Sequence, residues 1–225
     1  MSGVVALVSG GLDSVTLAHL LARDHAGPLH LVSVDYGQRH VQELDYARRC
    51  AGRLGARWDV VDLRSLQPLL GGSALTDSTV EVPSGHYADD TMRITVVPNR
   101  NAVMLAVAYA VAVSDAADVV ATAVHAGDHA IYPDCRPAFV DAFRAMENLA
   151  TEGFAAPDLL KAPFIHMTKA DIVRLGAELG VPFVDTWSCY RGGDRQCGTC
   201  GTCVERREAF SEAGIEDPTI YQSAA

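Results

Sequence analysis

An apolar run over residues 4–8 breaks into Ser9-Gly10-Gly11-Leu12-Asp13-Ser14 and then into a helical pattern over 14–24. No other stretch restricts the possible folds so tightly. Val-Val-Ala-Leu-Val has the composition of a short buried strand, and a strand running straight into a helix is the opening unit of an α/β sheet. A Ser-Gly-Gly turn at that junction gathers main-chain N–H groups at the positive end of the helix dipole, which seats a polyphosphate. Glycine suits the position because it tolerates positive φ and lets an oxyanion approach the backbone. No lysine follows the glycines, so this is not a Walker A loop, and the spacing is not that of the Gly-x-Gly-x-x-Gly dinucleotide fingerprint.

Further along, strands and helices alternate. Strands are predicted over 29–35, 58–63 and 118–124. Residues 41–54 form a helix with Leu44, Ala47, Ala51 and Leu54 on one stripe. Residues 101–113 are apolar all round, predicting a buried helix, and 137–150 form an amphipathic helix with proline in its first turn. Thr168-Lys169-Ala170-Asp171 is a capping box opening a helix that stops at Gly180, and a short helix is expected over 203–214. Residues 71–97 lack periodicity and read as a long functional loop. The predicted fold is α/β: a doubly wound, mostly parallel sheet with helices on both faces and a ligand crevice at the carboxyl ends of its strands.

The chain has 225 residues, 49% of them apolar, and a net charge of −10 from 18 basic and 28 acidic residues. This length and composition suit one folded domain with at most a small appendage. The acidic balance argues against a surface for sequence-independent nucleic-acid or anionic-membrane binding, so no direct nucleic acid and no membrane are expected as partners. The longest apolar stretch, 102–113, is shorter than a bilayer span, and no secretory leader is recognisable, so the chain reads as cytoplasmic.

Six cysteines in such a compartment suggest metal binding or catalysis rather than disulfides. Cys189-x7-Cys197-x2-Cys200-x2-Cys203 supplies four thiolates, enough to close a tetrahedral zinc site with no open position, hence a structural one. An iron–sulfur cluster shares this kind of spacing. Gly198 and Gly201 permit tight turns, and Cys203 opens a helix. Cys50 falls on an apolar stripe and is assigned to the core.

Ser9-Gly10-Gly11-x-Asp13-Ser14 resembles the pyrophosphate loop of the AMP-forming ATP pyrophosphatases, the PP-loop superfamily. Four more segments accompany it: Asp35-Tyr36-Gly37-Gln38-Arg39-His40, Val97-Pro98-Asn99-Arg100-Asn101, Tyr132-Pro133-Asp134-Cys135-Arg136 and Thr186-Trp187-Ser188-Cys189-Tyr190. Together with the loop and the cysteines they resemble the 7-cyano-7-deazaguanine synthases of queuosine-precursor biosynthesis over nearly the whole chain. The resemblance implies an adenine nucleotide α-hydrolase-like domain over 1–185, with a zinc-binding segment over 186–225 packed on it, and a homodimer. It implies a ligase acting on 7-carboxy-7-deazaguanine, ammonia and ATP, with Mg²⁺ bridging the phosphates. The carboxylate is adenylated, ammonia displaces AMP to give the amide, and a second activation gives the nitrile.

Mapped onto this sequence, Val8, Ser9, Gly10, Gly11, Leu12, Asp13 and Ser14 hold the pyrophosphate, with Asp13 orienting the loop or holding Mg²⁺. Asp35 is placed for nucleotide contact, and Arg39 and His40 for phosphate or substrate. Arg100 meets the α-phosphate or the substrate carboxylate, with Arg136 as its alternative. Asp134 reads the guanine-like N1–H and amino group, Lys169 contacts phosphate, and Cys135 is a small pocket residue. The family commonly has Gly where Asn99 stands, Glu-Thr-Asp at 126–128 and Ser-Gly at 130–131. The loss of a carboxylate at Ala126 and the gain of Ile131 predict altered substrate contacts. Two other readings stand beside this one: a relative coupling the same activated carboxylate to another amine, and a tRNA thiolase with the same loop.

Overall fold

Alternating strands and helices assemble into five parallel strands in the order β3-β2-β1-β4-β5. The computed structural model describes residues 3–69, 71–86 and 92–222. The strands are β1 (Val4–Leu7), β2 (Leu29–Asp35), β3 (Arg57–Asp62), β4 (Val119–Ala121) and β5 (Leu160–Lys161). The helices are α1 (Leu12–Asp24), α2 (Glu43–Leu54), α3 (Arg100–Ser114), α4 (Pro137–Ala150), α5 (Lys169–Glu178) and α6 (Gly201–Ala213). Alternation along the strands sends Val5, Val32 and Val120 to one core with α3 and α4. Ala6, Leu31 and Ala121 go to a second core with α1, α2, α5 and α6. The chain runs outward from β1 through β2 to β3, then returns to place β4 on the other side of β1. That reversal opens a crevice at the carboxyl ends of β1 and β4.

Cys50 is fully buried in the second core, where burial pushes its thiol up to about 11. Asn99 takes φ 59°, a left-handed conformation that asparagine tolerates at lower cost than most side chains.

Several elements depart from expectation. Helix α1 starts at Leu12, so Leu12 and Asp13 belong to its first turn rather than to a preceding loop. Helix α3 is not buried all round: Leu105, Ala108, Tyr109 and Ala112 are buried, whereas Ala106 and Ala110 are exposed. Uniform apolarity hid which face meets the sheet. The segment Arg93–Ser114 has the length and apolarity of a membrane span, with a hydropathy of 1.4. Its regular helix, however, is only the 15 residues after Asn99, about 22 Å long. Strand β5 is two residues long, too short to carry a period.

Helix α6 begins at Gly201 with Cys200 as its N-cap, so Cys203 lies inside the first turn instead of opening the helix. Gly198 makes the turn at φ 73°, whereas Gly201 is helical and needs no special backbone. Of the loop over 71–97, residues 87–91 lie outside the described residues. The rest buttresses the cysteine segment: Ser84 bridges to Cys200, and Gly85 N–H donates to Thr199 O at 2.9 Å.

Candidate active site and metal centre

The crevice is a cavity of about 230 Å³ lined by the ends of β1, β2 and β4, the first turns of α1, α3 and α5, and the cysteine segment. At its floor, α1 has Gly11 as N-cap and no side-chain cap. The first-turn amides of the helix are therefore left for an anion. Ser9 Oγ accepts from Gly11 N–H and Ser14 Oγ from Gly10 N–H, both at 3.2 Å, long enough for a phosphate oxygen to compete for the same donors. The two glycines have different reasons to be there. Gly10 sits at φ 101°, and a Cβ on it would stand 2.1 Å from Glu43 O. Gly11 has ordinary φ, and its Cβ would find normal contacts at 3.4 Å.

One wall is charged. Lys169, the first residue of α5, has Nζ 3.1 Å from Asp13 Oδ2 and 2.8 Å from Glu205 Oε2. Burial by itself pushes the ammonium pKa down, but these carboxylates outweigh it and hold the value above normal. Asp13 shows the converse: burial raises its pKa, and Lys169 and His125 bring it below the usual carboxylate value. Asp13 Oδ1 is buried with no hydrogen-bond partner. His125, 1% exposed, accepts the Gly127 N–H on Nδ1 at 3.1 Å and turns Nε2 toward Asp13 and Asp128, at 3.7 and 3.5 Å. A Cβ at Gly127 would stand 2.8 Å from that imidazole. The absence of a side chain at Gly127 is thus the steric complement of His125.

The opposite wall is aromatic. Arg100 Nη1 donates to Tyr36 Oη at 3.0 Å with its guanidinium over the Tyr36 ring, and Tyr132 and Tyr190 line the same lobe. Cys135 lines it too; burial and nearby Asp128 and Asp134 push its thiol pKa well up, so it is a neutral pocket residue receiving Asn101 Nδ2–H at 3.2 Å. His40 and Glu43 complete this wall.

Behind the cavity, Cys189, Cys197, Cys200 and Cys203 are all buried, with their sulfurs within 4.8 Å of one another. Cys197 Sγ and Cys203 Sγ are 3.9 Å apart, close to the edge of about 3.8 Å in a tetrahedron of ~2.3 Å metal–sulfur bonds. Cys197 Sγ accepts N–H donors from Thr199 and Cys200 at 3.4 and 3.2 Å. The donor set fits one four-coordinate ion. It is tied to the phosphate loop, because Trp187 N–H, two residues before Cys189, donates to Gly10 O at 3.0 Å. Arg206, fully buried, locks the segment leading into Cys189 through Thr186 Oγ1 and Phe183 O.

The structure thus brings Val8, Ser9, Gly11, Leu12, Asp13, Ser14, Arg100 and Lys169 to one cavity, with Gly10 packed behind. Asp134, Arg136 and Asp35 do not line it. Asp134 Oδ2 accepts Asn101 N–H at 2.9 Å and so caps α3. Arg136, exposed, donates to His129 O at 2.7 Å. Asp35 closes a turn by accepting Gly37 N–H at 3.0 Å. Arg39 anchors the 71–86 segment through Asp77 O and Val80 O. Ile131 packs in the core beside Tyr132 rather than in the cavity. Sequence reasoning gave no role to Glu205, Asp128 or Glu43. Only the acidic first turn of α2 hinted at the last.

A family model described as Queuosine biosynthesis protein QueC matches residues 3–214. The 7-cyano-7-deazaguanine synthases of Brucella ovis and Brucella canis are each 59% identical over 218 residues, spanning 97% of this chain and 93% of theirs. Among solved structures, the U34-tRNA thiolase NcsA from Methanococcus maripaludis, with its 4Fe-4S cluster, aligns at TM-score 0.54 and 15% identity. That match covers 94% of this chain and 65% of the thiolase. NMN synthetase from Francisella tularensis aligns at 0.53 and 18%, over 96% and 73%. At such identities the two structures share the fold.

Proposed function

The chain belongs to the QueC family of queuosine biosynthesis, and from that premise we propose that it is the ATP-dependent ligase that converts 7-carboxy-7-deazaguanine and ammonia to 7-cyano-7-deazaguanine. The observation that carries this reading is the single cavity joining an uncapped helix N-terminus, a carboxylate-held lysine and an arginine in an aromatic lobe. A carboxylate is a poor electrophile and needs a good leaving group before an amine can displace its oxygen. The α1 amides with Ser9 and Ser14 grip the departing pyrophosphate, and Lys169 offsets its charge. Arg100 presents a planar fork to the substrate carboxylate or the α-phosphate. The lobe built from Tyr36, Tyr132 and Tyr190 shields the adenylate, so that ammonia gives the amide with loss of AMP. A second ATP activates the amide oxygen, which leaves with AMP as the nitrile forms.

Mg²⁺ supplies positive charge to the phosphates when bound; Asp13, with its unpartnered oxygen, and Asp128 would hold it. Zinc is the ion we assign to the four cysteines, in a structural role. Sulfurs no more than 4.8 Å apart leave room for one ion rather than a multi-iron cluster, which also weighs against the thiolase reading. None of the six cysteines is joined in a disulfide, which suits a cytoplasmic protein. The outward stripe of Val103, Ala106, Val107 and Ala110 on α3 is apolar and incompletely covered, which suits a homodimer.

Incubation with 7-carboxy-7-deazaguanine, ammonium and ATP tests the reading. We expect two AMP and two pyrophosphate for each nitrile detected by mass spectrometry. Release of ADP, or an amide of another amine as the sole product, overturns it.

A further inference from the structure

Two acceptor groups in the aromatic lobe have no role in the chemistry above. Glu43 opens α2 yet is 8% exposed, and His40 is 4% exposed; both line the cavity. The ordinary account of an acidic residue at a helix start is the dipole, which a solvated carboxylate satisfies without burial. Burying one has a cost that needs compensation. The surrounding donors are few. Gln38 is locked, with Oε1 accepting Tyr36 N–H at 2.9 Å and Nε2 donating to Val34 O at 3.1 Å, and that same Nε2 reaches Glu43 Oε1 at only 3.3 Å. His40 Nε2 stands 3.6 Å from Glu43 Oε1, and His40 Nδ1 is buried without a hydrogen-bond partner. The His40 ring lies 5.2 Å from that of Tyr190. Arg100 faces the pair from α3, but its Nη1 is engaged by Tyr36.

We propose that Glu43 and His40 form an acceptor pair that recognises the adjacent N1–H and 2-amino donors of a guanine-type bicycle. The proposal rests on the deazaguanine reading above and gives the recognition role expected of Asp134 to a different element. A flat, donor-edged heterocycle suits the site on two counts: it stacks on tyrosine rings, and its donors meet acceptors that the protein leaves under-served. Its carboxylate then points away from Glu43, toward the cations. Burial holds the Glu43 carboxyl up at about 8 and the His40 imidazole down at about 3, so the empty pair carries little charge near neutrality. Donated hydrogen bonds favour the ionised carboxylate when the base arrives.

Calorimetry on the full-chain, metal-loaded protein separates this assignment from the reading it rests on. The probes are 7-deazaguanine and 7-deazahypoxanthine, which lacks the 2-amino group. Wild type is expected to prefer the amino compound by about 100-fold or more. Glu43→Gln is expected to reduce that preference to within about 5-fold, and Glu43→Asp to restore part of it. A variant that keeps the wild-type preference, or loses affinity equally for both bases, overturns the assignment and leaves the deazaguanine reading standing. A raised KM for ammonium with base preference intact also overturns it, in favour of an ammonia subsite. Failure of wild type to bind either base removes the deazaguanine reading itself.

Discussion

Two ion clusters sit at opposite ends of the sheet, and they are built from similar side chains. At the amino end, His30 places Nδ1 2.6 Å from Asp115 and Nε2 2.9 Å from Asp59, while Arg57 contacts both aspartates. Each charged group there has a protein partner, and the cluster pins β2, β3 and the end of α3 together. At the carboxyl end, Lys169, Asp13, Glu205 and His125 make a comparable network, but it faces a cavity and leaves an Asp13 oxygen unpartnered. A saturated network holds the fold in place. An incompletely satisfied one retains capacity for a ligand.

Substitutions at the two ends should therefore separate activity from stability. Lys169→Met is expected to lower kcat by about 10³-fold, because it removes the cation over the phosphate loop. Steady-state AMP release measures this, and a variant within tenfold of wild type would place Lys169 with the structural cluster. Gly10→Ala is expected to come next, with a loss of about 3 kcal/mol in denaturant unfolding. Its Cβ meets Glu43 O at 2.1 Å, and the φ of 101° is strained for alanine. Gly11→Ala should change stability by less than about 1 kcal/mol.

Glu43→Gln should behave oppositely to most buried substitutions. Below 4.5, its value in the unfolded chain, the carboxyl is protonated in both states and contributes no pH dependence. Between 4.5 and about 8 the unfolded chain ionises while the folded carboxyl keeps its proton, so its contribution to stability falls as pH rises. The variant should thus be more stable than wild type at pH 8, by about 4 kcal/mol, and indistinguishable from it near pH 4. Parallel thermal melts at the two pH values decide this; a variant destabilised at pH 8 makes Glu43 a structural residue. His30→Ala is expected to cost about 1–2 kcal/mol with kcat unchanged, because Asp59 and Asp115 keep Arg57 and are partly solvated. A fall in kcat would mean that the amino end is coupled to the cavity.

Much of this site is legible in the sequence alone. The strand, Ser-Gly-Gly turn and helix around Ser9–Ser14 have a local signature, as do the four cysteines. Arg100 comes from the resemblance carried by the 97–101 segment, and Lys169 from its place in a recognisable helix start. Glu205 does not stand out, since its meaning depends on Lys169, 36 residues away in the chain. Asp134 lies in a segment that carries the resemblance, but its carboxylate is turned to the Asn101 N–H, a contact between residues 33 apart in the chain. The buried state of Glu43 was equally hidden, because an acidic first turn looks the same whether solvated or enclosed.

The sequence by itself determined the features that depend on near neighbours: turn conformations, helix starts, thiol spacing and the order of strands and helices along the chain. These follow from backbone sterics and short-range hydrogen bonds. Tertiary structure alone decided the order of strands in the sheet, which face of α3 is buried and which charges are neutralised. Desolvation and Coulomb energy depend on distance through space, and that distance is set only when remote segments pack together.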